Sequence, residues 1–191
     1  KNFEVKLNQK DNILSKDEII KESQGCDGIL SSITDKFDSD LILNLSNTVK
    51  IISNFAVGFG NIDIHVAKKR NIVVTNTPDV LTDATAEIAM LILLGAARRA
   101  KEGFEWASKK NWKWSADFLM GKQLSGGRLG ILGMGRIGRA VADRARSFGM
   151  KIHYYNRSRL NKNLEKDSVY HKSLESLLSV SDFFSINCPA T

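Results

Sequence analysis

The sequence predicts an α/β protein with mainly parallel, doubly wound sheets divided between two units. Three observations carry this prediction. Short apolar runs alternate with helix-like patterns along the whole 191-residue chain, a βαβα rhythm that lays helices against a parallel sheet. The texture changes after Pro78, where a long helical pattern opens a second series of strands and helices. Within that second series, a glycine-rich turn sits between an apolar run and an amphipathic stretch. Each series needs its own sheet, so the boundary falls near Val80 to Leu81, giving residues 1–80 and 81–191.

The elements follow in order. "FEVKLN" alternates like a strand, and "KDEIIKES" reads as a helix with Ser15 as its cap. "DGILSSI" is a strand, "DSDLILNLS" a helix, "VKIISNFA" a strand, "NIDIHVAKKR" a helix and "NIVVTN" a strand. "LTDATAEIAMLILLGAARRAKEGFEWA" reads as one long helix capped by Thr82 or Asp83, with Ile88, Leu91, Ile92 and Gly95 on one face. An irregular aromatic segment, "NWKWSADFLMG", separates it from the strand "RLGILG", the helix "RIGRAVADRARSF" and the strand "MKIHYY". A polar loop, a short strand near "VYH", the helix "SLESLLSV" and the strand "DFFSINC" complete the pattern.

Composition narrows the function classes. Apolar residues make up 42% and charged residues 26% of the chain, which suits a packed globular protein and not a disordered one. No apolar run is long enough to span a bilayer, and Lys1 opens no signal-peptide pattern, so a cytoplasmic location is expected. Cys26 and Cys188 are too far apart in sequence to suggest a zinc site or a disulfide framework, so no metal is expected. The net charge of +7 raises the possibility of a nucleic-acid partner. However, the excess is local. Arg128 to Lys162 carries nine basic residues and one acid, Asp143, and no nucleic-acid motif accompanies them. The expectation is therefore neither nucleic acid nor membrane as a partner.

The basic stretch surrounds the motif Gly133-Met134-Gly135-Arg136-Ile137-Gly138. A G-x-G-x-x-G is weak alone, but between a buried-looking strand and an amphipathic helix it meets the requirement of a dinucleotide-binding turn. Gly133 permits the tight turn, Gly135 lets a pyrophosphate approach the backbone, and Gly138 lets helix and strand pack closely. The N–H groups near Arg136 and Ile137 then face the phosphates, aided by the helix dipole. About 20 residues further on, such sites place an acid that binds the ribose 2′-hydroxyl. This chain has Asn156 there, followed by Arg157, Ser158 and Arg159. Asn156 removes the repulsion toward a 2′-phosphate and the following residues offer donors, so NADP is preferred and NAD remains possible. Which arginine makes the contact stays open, as does the plainer reading that both are solvated surface charges.

Together, "NFAVGFGNIDI", "VVTNTPDVLTDATAEIAMLILLGAARR" and "LGILGMGRIGRAVADRARSFGM" closely resemble the D-isomer-specific 2-hydroxyacid dehydrogenases, and the nearest branch looks like the glyoxylate/hydroxypyruvate reductases. The resemblance implies a flavodoxin-like substrate domain, partial here, packed against an NAD(P)-binding Rossmann domain, with the active site in the cleft. It also implies NAD(P)H-dependent reduction of a small 2-keto acid to the D-2-hydroxy acid by a homodimer. Carried over, it sets Val57 and Gly58 at the substrate carboxylate. This agrees with a turn at the C-terminal end of the strand "KIISNFA", where free backbone N–H groups can cradle an anion. Gly60 departs from the family pattern, which usually has Asp there. The resemblance implies that Thr85 faces the nicotinamide, although a surface threonine in a helix's first turn reads equally well. Glu87 reads as a carboxylate near a helix N-terminus. Trp114 resembles a tryptophan that enters the partner subunit's substrate pocket, or is an interface or core aromatic. Cys188 and Pro189 follow a strand whose end should lie against the cofactor.

Reduction of a ketone also needs a proton donor, usually a histidine. His65, His153 and His171 each read as ordinary surface or core residues. A complete Rossmann domain has six strands, and four are read here before the chain stops at "CPAT". The family's catalytic Arg, Glu and His are therefore expected beyond Thr191, in a fuller chain, with negligible turnover and an association-prone sheet edge in these residues alone. The competing reading is a non-catalytic dinucleotide sensor or scaffold on the same fold, since function resides in the site.

Overall fold

The computed structural model describes residues 3–9, 12–109 and 115–189. Two compact units divide the chain, Lys1–Val80 and Leu81–Thr191. Among the described residues, no helix is long and apolar enough to cross a membrane.

The first unit contains α1 (Lys16–Glu22), β1 (Gly28–Ser32), α2 (Ser39–Asn44), β2 (Ile51–Phe55), α3 (Ile64–Lys69) and β3 (Val73–Thr75). The helix starts follow side-chain chemistry. Ser15 and Glu18 form a reciprocal capping box at α1, while Asp38 and Asp63 accept the Leu41 and Val66 N–H groups at α2 and α3, each at 3.0 Å. The strands form a parallel sheet in the order β1-β2-β3. Inward positions Ile29, Ile52 and Val74 join Phe37, Leu41, Ile42 and Ala67 in one apolar core. The alternate positions Leu30, Phe55 and Val73 are exposed. One face of this parallel sheet is therefore covered by the described residues and the other is left open. "FEVKLN" also differs from expectation. Residues 3–8 pair with no strand among the described residues, and Phe3, Val5 and Leu7 are exposed. Alternation specifies a strand only where a neighbour supplies ladder bonds and a surface to pack on.

The second unit runs α4 (Thr82–Ala97), α5 (Ala100–Ala107), β4 (Arg128–Leu132), α6 (Arg136–Ser147), β5 (Lys151–Tyr155), α7 (Lys162–Glu165), β6 (Val169–Tyr170), α8 (Leu174–Leu178) and β7 (Phe183–Ile186). The single long helix of the sequence reading is two helices. Arg99 adopts the left-handed region at φ 53° and ends the first hydrogen-bonded run. Neither Thr82 nor Asp83 caps α4. Leu81 holds the cap position without a side-chain bond, and Asp83 turns instead to Arg144 of α6 at 3.0 Å. The face bearing Ile88, Leu91 and Ile92 is exposed, whereas Ala86 and Met90 are buried. Ala86, Met90 and Ala97 lie on the buried side of α4, which packs against α6. The one-turn α7, started by Asn161, lies in the stretch read as a polar loop.

All four strands of this unit are parallel, in the order β6-β5-β4-β7. Chain order therefore reverses at β4, the topological switch point beside which open α/β sheets bind ligands. Leu129, Gly130 and Ile131 of β4 are buried in succession, as a central strand covered on both faces requires. Leu129, Ile131 and Tyr154 are fully buried in the core shared with α4 and α6, each contributing roughly 1.5–3 kcal/mol.

Candidate functional site

The glycine turn leaves the C-terminal end of β4 and leads into α6. Gly133 has φ +91°, and a Cβ there would lie 2.9 Å from the Asn187 backbone and 2.8 Å from the Cys188 Cβ. A side chain would therefore be strained and obstructed. A Cβ on Gly138 would sit 2.3 Å from the Gly133 carbonyl oxygen, so only glycine lets α6 approach the turn this closely. Gly135 occupies the N-cap of α6, makes no side-chain cap, and faces open space. Arg136 and Ile137 form the first turn above it. The result is a helix start beside open space, an arrangement whose dipole and first-turn N–H groups favour an anion.

Two neighbours frame this turn. The Gly133 N–H donates to the Tyr155 carbonyl at 3.1 Å, and the Met134 N–H donates to Asn156 Oδ1 at 2.7 Å. Asn156 therefore braces the turn with its side-chain carbonyl, a role the spacing argument did not foresee. On the other side, the Asn187 N–H donates to the Leu132 carbonyl at 2.8 Å, which places Cys188 and Pro189 just past the end of β7, against Gly133.

The loop after β5 gives its two arginines different surroundings. Arg157 and Ser158 are exposed and make no hydrogen bond or ion pair among the described residues. Arg159 donates through Nε and Nη2 to the two carboxylate oxygens of Glu165, each at 3.0 Å. The Tyr154 hydroxyl also donates to Glu165, at 2.8 Å, and accepts the Leu160 N–H at 3.1 Å. The Arg159 guanidinium, then the Tyr154 hydroxyl, holds the Glu165 carboxyl below its usual value, while burial pushes the Tyr154 phenol up.

Ion pairs also absorb other members of the basic stretch. Arg128 pairs with Asp182, Arg146 with Asp143 and Asp167, and Arg144 with both Asp83 and Glu87. Glu87 thus ties α4 to α6. Thr85 lies half-buried in the first turns of α4, its N–H bonded to the Leu81 carbonyl.

In the first unit, the Val57–Gly58 turn follows β2. The buried Asn54 donates to the Gly58 carbonyl at 2.9 Å and to Asn61 Oδ1 at 3.1 Å, and it accepts from Ser31 Oγ. Asn76 donates to the Val57 carbonyl at 2.9 Å. With both carbonyls held from behind, the Val57 and Gly58 N–H groups are left without partners among the described residues. That arrangement suits a carboxylate. Sequence reasoning missed Asn54, Asn61 and Asn76, although a polar residue within an otherwise apolar strand, "KIISNFA", was a usable signal for the first. A separate concavity of about 570 Å³ follows the edge of β3 between Phe59, Ile64 and Asn76, and does not include this turn's N–H groups. Trp114 lies outside the described residues. His153 and His171 face each other across β5 and β6, with Nδ1 and Nε2 2.9 Å apart.

Residues 90–191 match the family described as D-isomer specific 2-hydroxyacid dehydrogenase, NAD binding domain. The chain belongs to this dehydrogenase family. As a 2-hydroxyacid dehydrogenase chain it is 43% identical to a glyoxylate reductase of Thermococcus litoralis over 91% of its own length and 54% of that protein's. It is 42% identical to a glycerate dehydrogenase of Hyphomicrobium methylovorum, over 92% of this chain and 55% of the relative. A Polaromonas crystal structure, described as a D-isomer specific 2-hydroxyacid dehydrogenase, superposes with a TM-score of 0.89 at 42% identity, covering 97% of this chain and 59% of that one. The family resemblance and the α/β expectation are thus both borne out. This dehydrogenase chain spans somewhat over half the length of its relatives. The matched segment carries the glycine turn and the Asn156 to Arg159 loop within the family's NAD-binding domain.

Proposed function

We propose that this protein reduces a small 2-keto acid, of the glyoxylate or hydroxypyruvate type, to the D-2-hydroxy acid, with NADPH preferred over NADH. The observation that carries the reading is the open start of α6. It is framed by Gly133, Cys188 and Asn156, and the strand end beside it offers unpaired Arg157 where an acid would select against a 2′-phosphate. The names of the relatives, glyoxylate reductase and glycerate dehydrogenase, support the substrate class.

A bound nicotinamide cofactor supplies the hydride. The first turn of α6 holds the pyrophosphate, Asn156 orients the glycine turn toward the adenosine-side ribose, and Arg157 with Ser158 receives the 2′-phosphate. Cys188 and Pro189 line the cofactor's other side, and Thr85 faces the nicotinamide. The Val57 and Gly58 N–H groups hold the substrate carboxylate, so the keto carbon is presented in a fixed orientation. Trp114 completes the pocket of a partner subunit in a homodimer. The proton donor is none of His65, His153 or His171, two of which are occupied with each other.

Direct titration with both cofactors tests the reading. NADPH should bind more tightly than NADH. Arg157→Ala should lose about ten- to a hundredfold in NADPH affinity, the equivalent of one charge-assisted bond, and leave NADH unchanged. Equal or tighter binding of NADH, or an Arg157→Ala protein with undiminished NADPH affinity, would sink the cofactor assignment.

A further inference from the structure

We propose that Arg159 is a positioning residue for cofactor selectivity: clamped by Glu165 and Tyr154, it sets the course of the 156–160 loop so that Arg157, and not Arg159, is the arginine that meets the 2′-phosphate. The inference deepens the NADPH reading above and rests on it.

The geometry separates two arginines that look equivalent in "NRSRL". The Glu165 side chain is 6% exposed, against 63% for Arg159. A carboxylate that deep needs a cation. Drawing Arg159 away to a ligand phosphate would leave it buried without its counter-ion, which is far more costly than leaving a surface arginine solvated. The pairing is two-pronged, through Nε and Nη2, the arrangement that fixes a guanidinium most firmly. Paired in this way, Arg159 brings little net positive charge to the site, whereas Arg157 has no counter-ion among the described residues.

The clamp also closes on the loop's backbone. Tyr154 is fully buried at the end of β5, donates to the same carboxylate and accepts the Leu160 N–H, so residues on either side of the loop are tied to one group. Tyr170 supports the arrangement from β6. Its ring lies under the Arg159 guanidinium at 5.7 Å, and its hydroxyl donates to the Asn156 carbonyl at 3.4 Å. The loop is thereby fastened at Asn156, Arg159 and Leu160, while the side chains of Arg157 and Ser158 are exposed.

Glu165→Gln separates positioning from direct contact by the sign of its effect. If Arg159 touched the phosphate, removing the competing carboxylate would free its charge and NADPH binding would hold or tighten. If Arg159 positions the loop, Glu165→Gln weakens NADPH binding, on the order of three- to tenfold. Arg159→Ala should then match that loss, the double variant should be no worse than either single one, and Arg159→Lys should recover part of it. Affinities for NADPH and NADH are measured on the intact protein well below its melting temperature, with the folded fraction checked by circular dichroism. A purely structural role would leave the affinity of folded molecules unmoved. Should Arg159→Ala fail to fold, Glu165→Gln and Arg159→Lys carry the same comparison. The proposal is overturned if Glu165→Gln leaves NADPH affinity intact or raises it. A wild-type protein that binds NADH as tightly as NADPH defeats the underlying cofactor reading instead. The clamp then shows as an equal loss of both cofactors in Glu165→Gln, and the absence of that loss overturns it too.

Discussion

At the scale of single residues, contacts one atom deep decide the site. Gly138 illustrates this: an added methyl would fall 2.3 Å from the Gly133 oxygen, which belongs to backbone and cannot swing aside. Gly138→Ala should therefore destabilise the protein by about 1–3 kcal/mol, the usual cost of overpacking, and abolish dinucleotide binding by moving α6 off the turn. A thermal melt and a cofactor titration check both, and an unchanged melting temperature would show that the turn can relax. The sequence made Gly138 readable because the motif's spacing states its job. It could not do the same for Asn156, Arg157 and Arg159. Residue type named them as donors and acceptors, but the choice among an internal brace, a free cation and a clamp depends on where Met134 and Glu165 arrive in space.

At the scale of elements, the start of α1 was legible, since Ser15 caps it through bonds made within three residues, whereas Asp38, Asp63 and Ser173 cap α2, α3 and α8 without having been singled out, and the cap expected at Thr82 or Asp83 did not form. The break between α4 and α5 was not legible, because no Gly or Pro marks Arg98 or Arg99. Strand β7 is secured at its start by Asp182, which accepts the Arg128 N–H at 3.0 Å and its Nε–H at 2.9 Å, with Lys122 at 3.1 Å. The Arg128 side chain first, then the Arg128 N–H and Lys122, holds this carboxyl well below its ordinary value of 3.8. A depressed carboxylate stabilises the fold above its unfolded pKa, and the contribution is lost as pH falls through the folded value. Asp182→Asn should thus lower stability at neutral pH and flatten its decline below about pH 4. Urea melts across that range check it, and parallel acid limbs for the two proteins would count against the anchor.

At the scale of the whole molecule, the exposed apolar stripe of α4, Ile88, Leu91 and Ile92, and the exposed Phe104 of α5 are the surface a homodimer would cover. If the protein is the homodimer proposed above and this is its interface, Leu91→Lys combined with Ile92→Glu should shift sedimentation from dimer toward monomer. A dimer that persists would place the interface elsewhere. The periodicity of α4 showed that these residues share a face, but periodicity cannot tell a face that packs inward from one left for a partner. The same limit explains "FEVKLN", which alternates like a strand yet pairs with nothing among the described residues. By itself the sequence determined the α/β rhythm, the glycine turn, the Ser15 cap and the missing acid at Asn156, because each depends on residues close together along the chain. Only the tertiary structure decided which face of α4 is open, that Asn54 and Asn76 leave the Val57 and Gly58 N–H groups available, and that Glu165 claims Arg159. Those outcomes depend on which groups, distant in sequence, compete for the same hydrogen bond or the same buried surface.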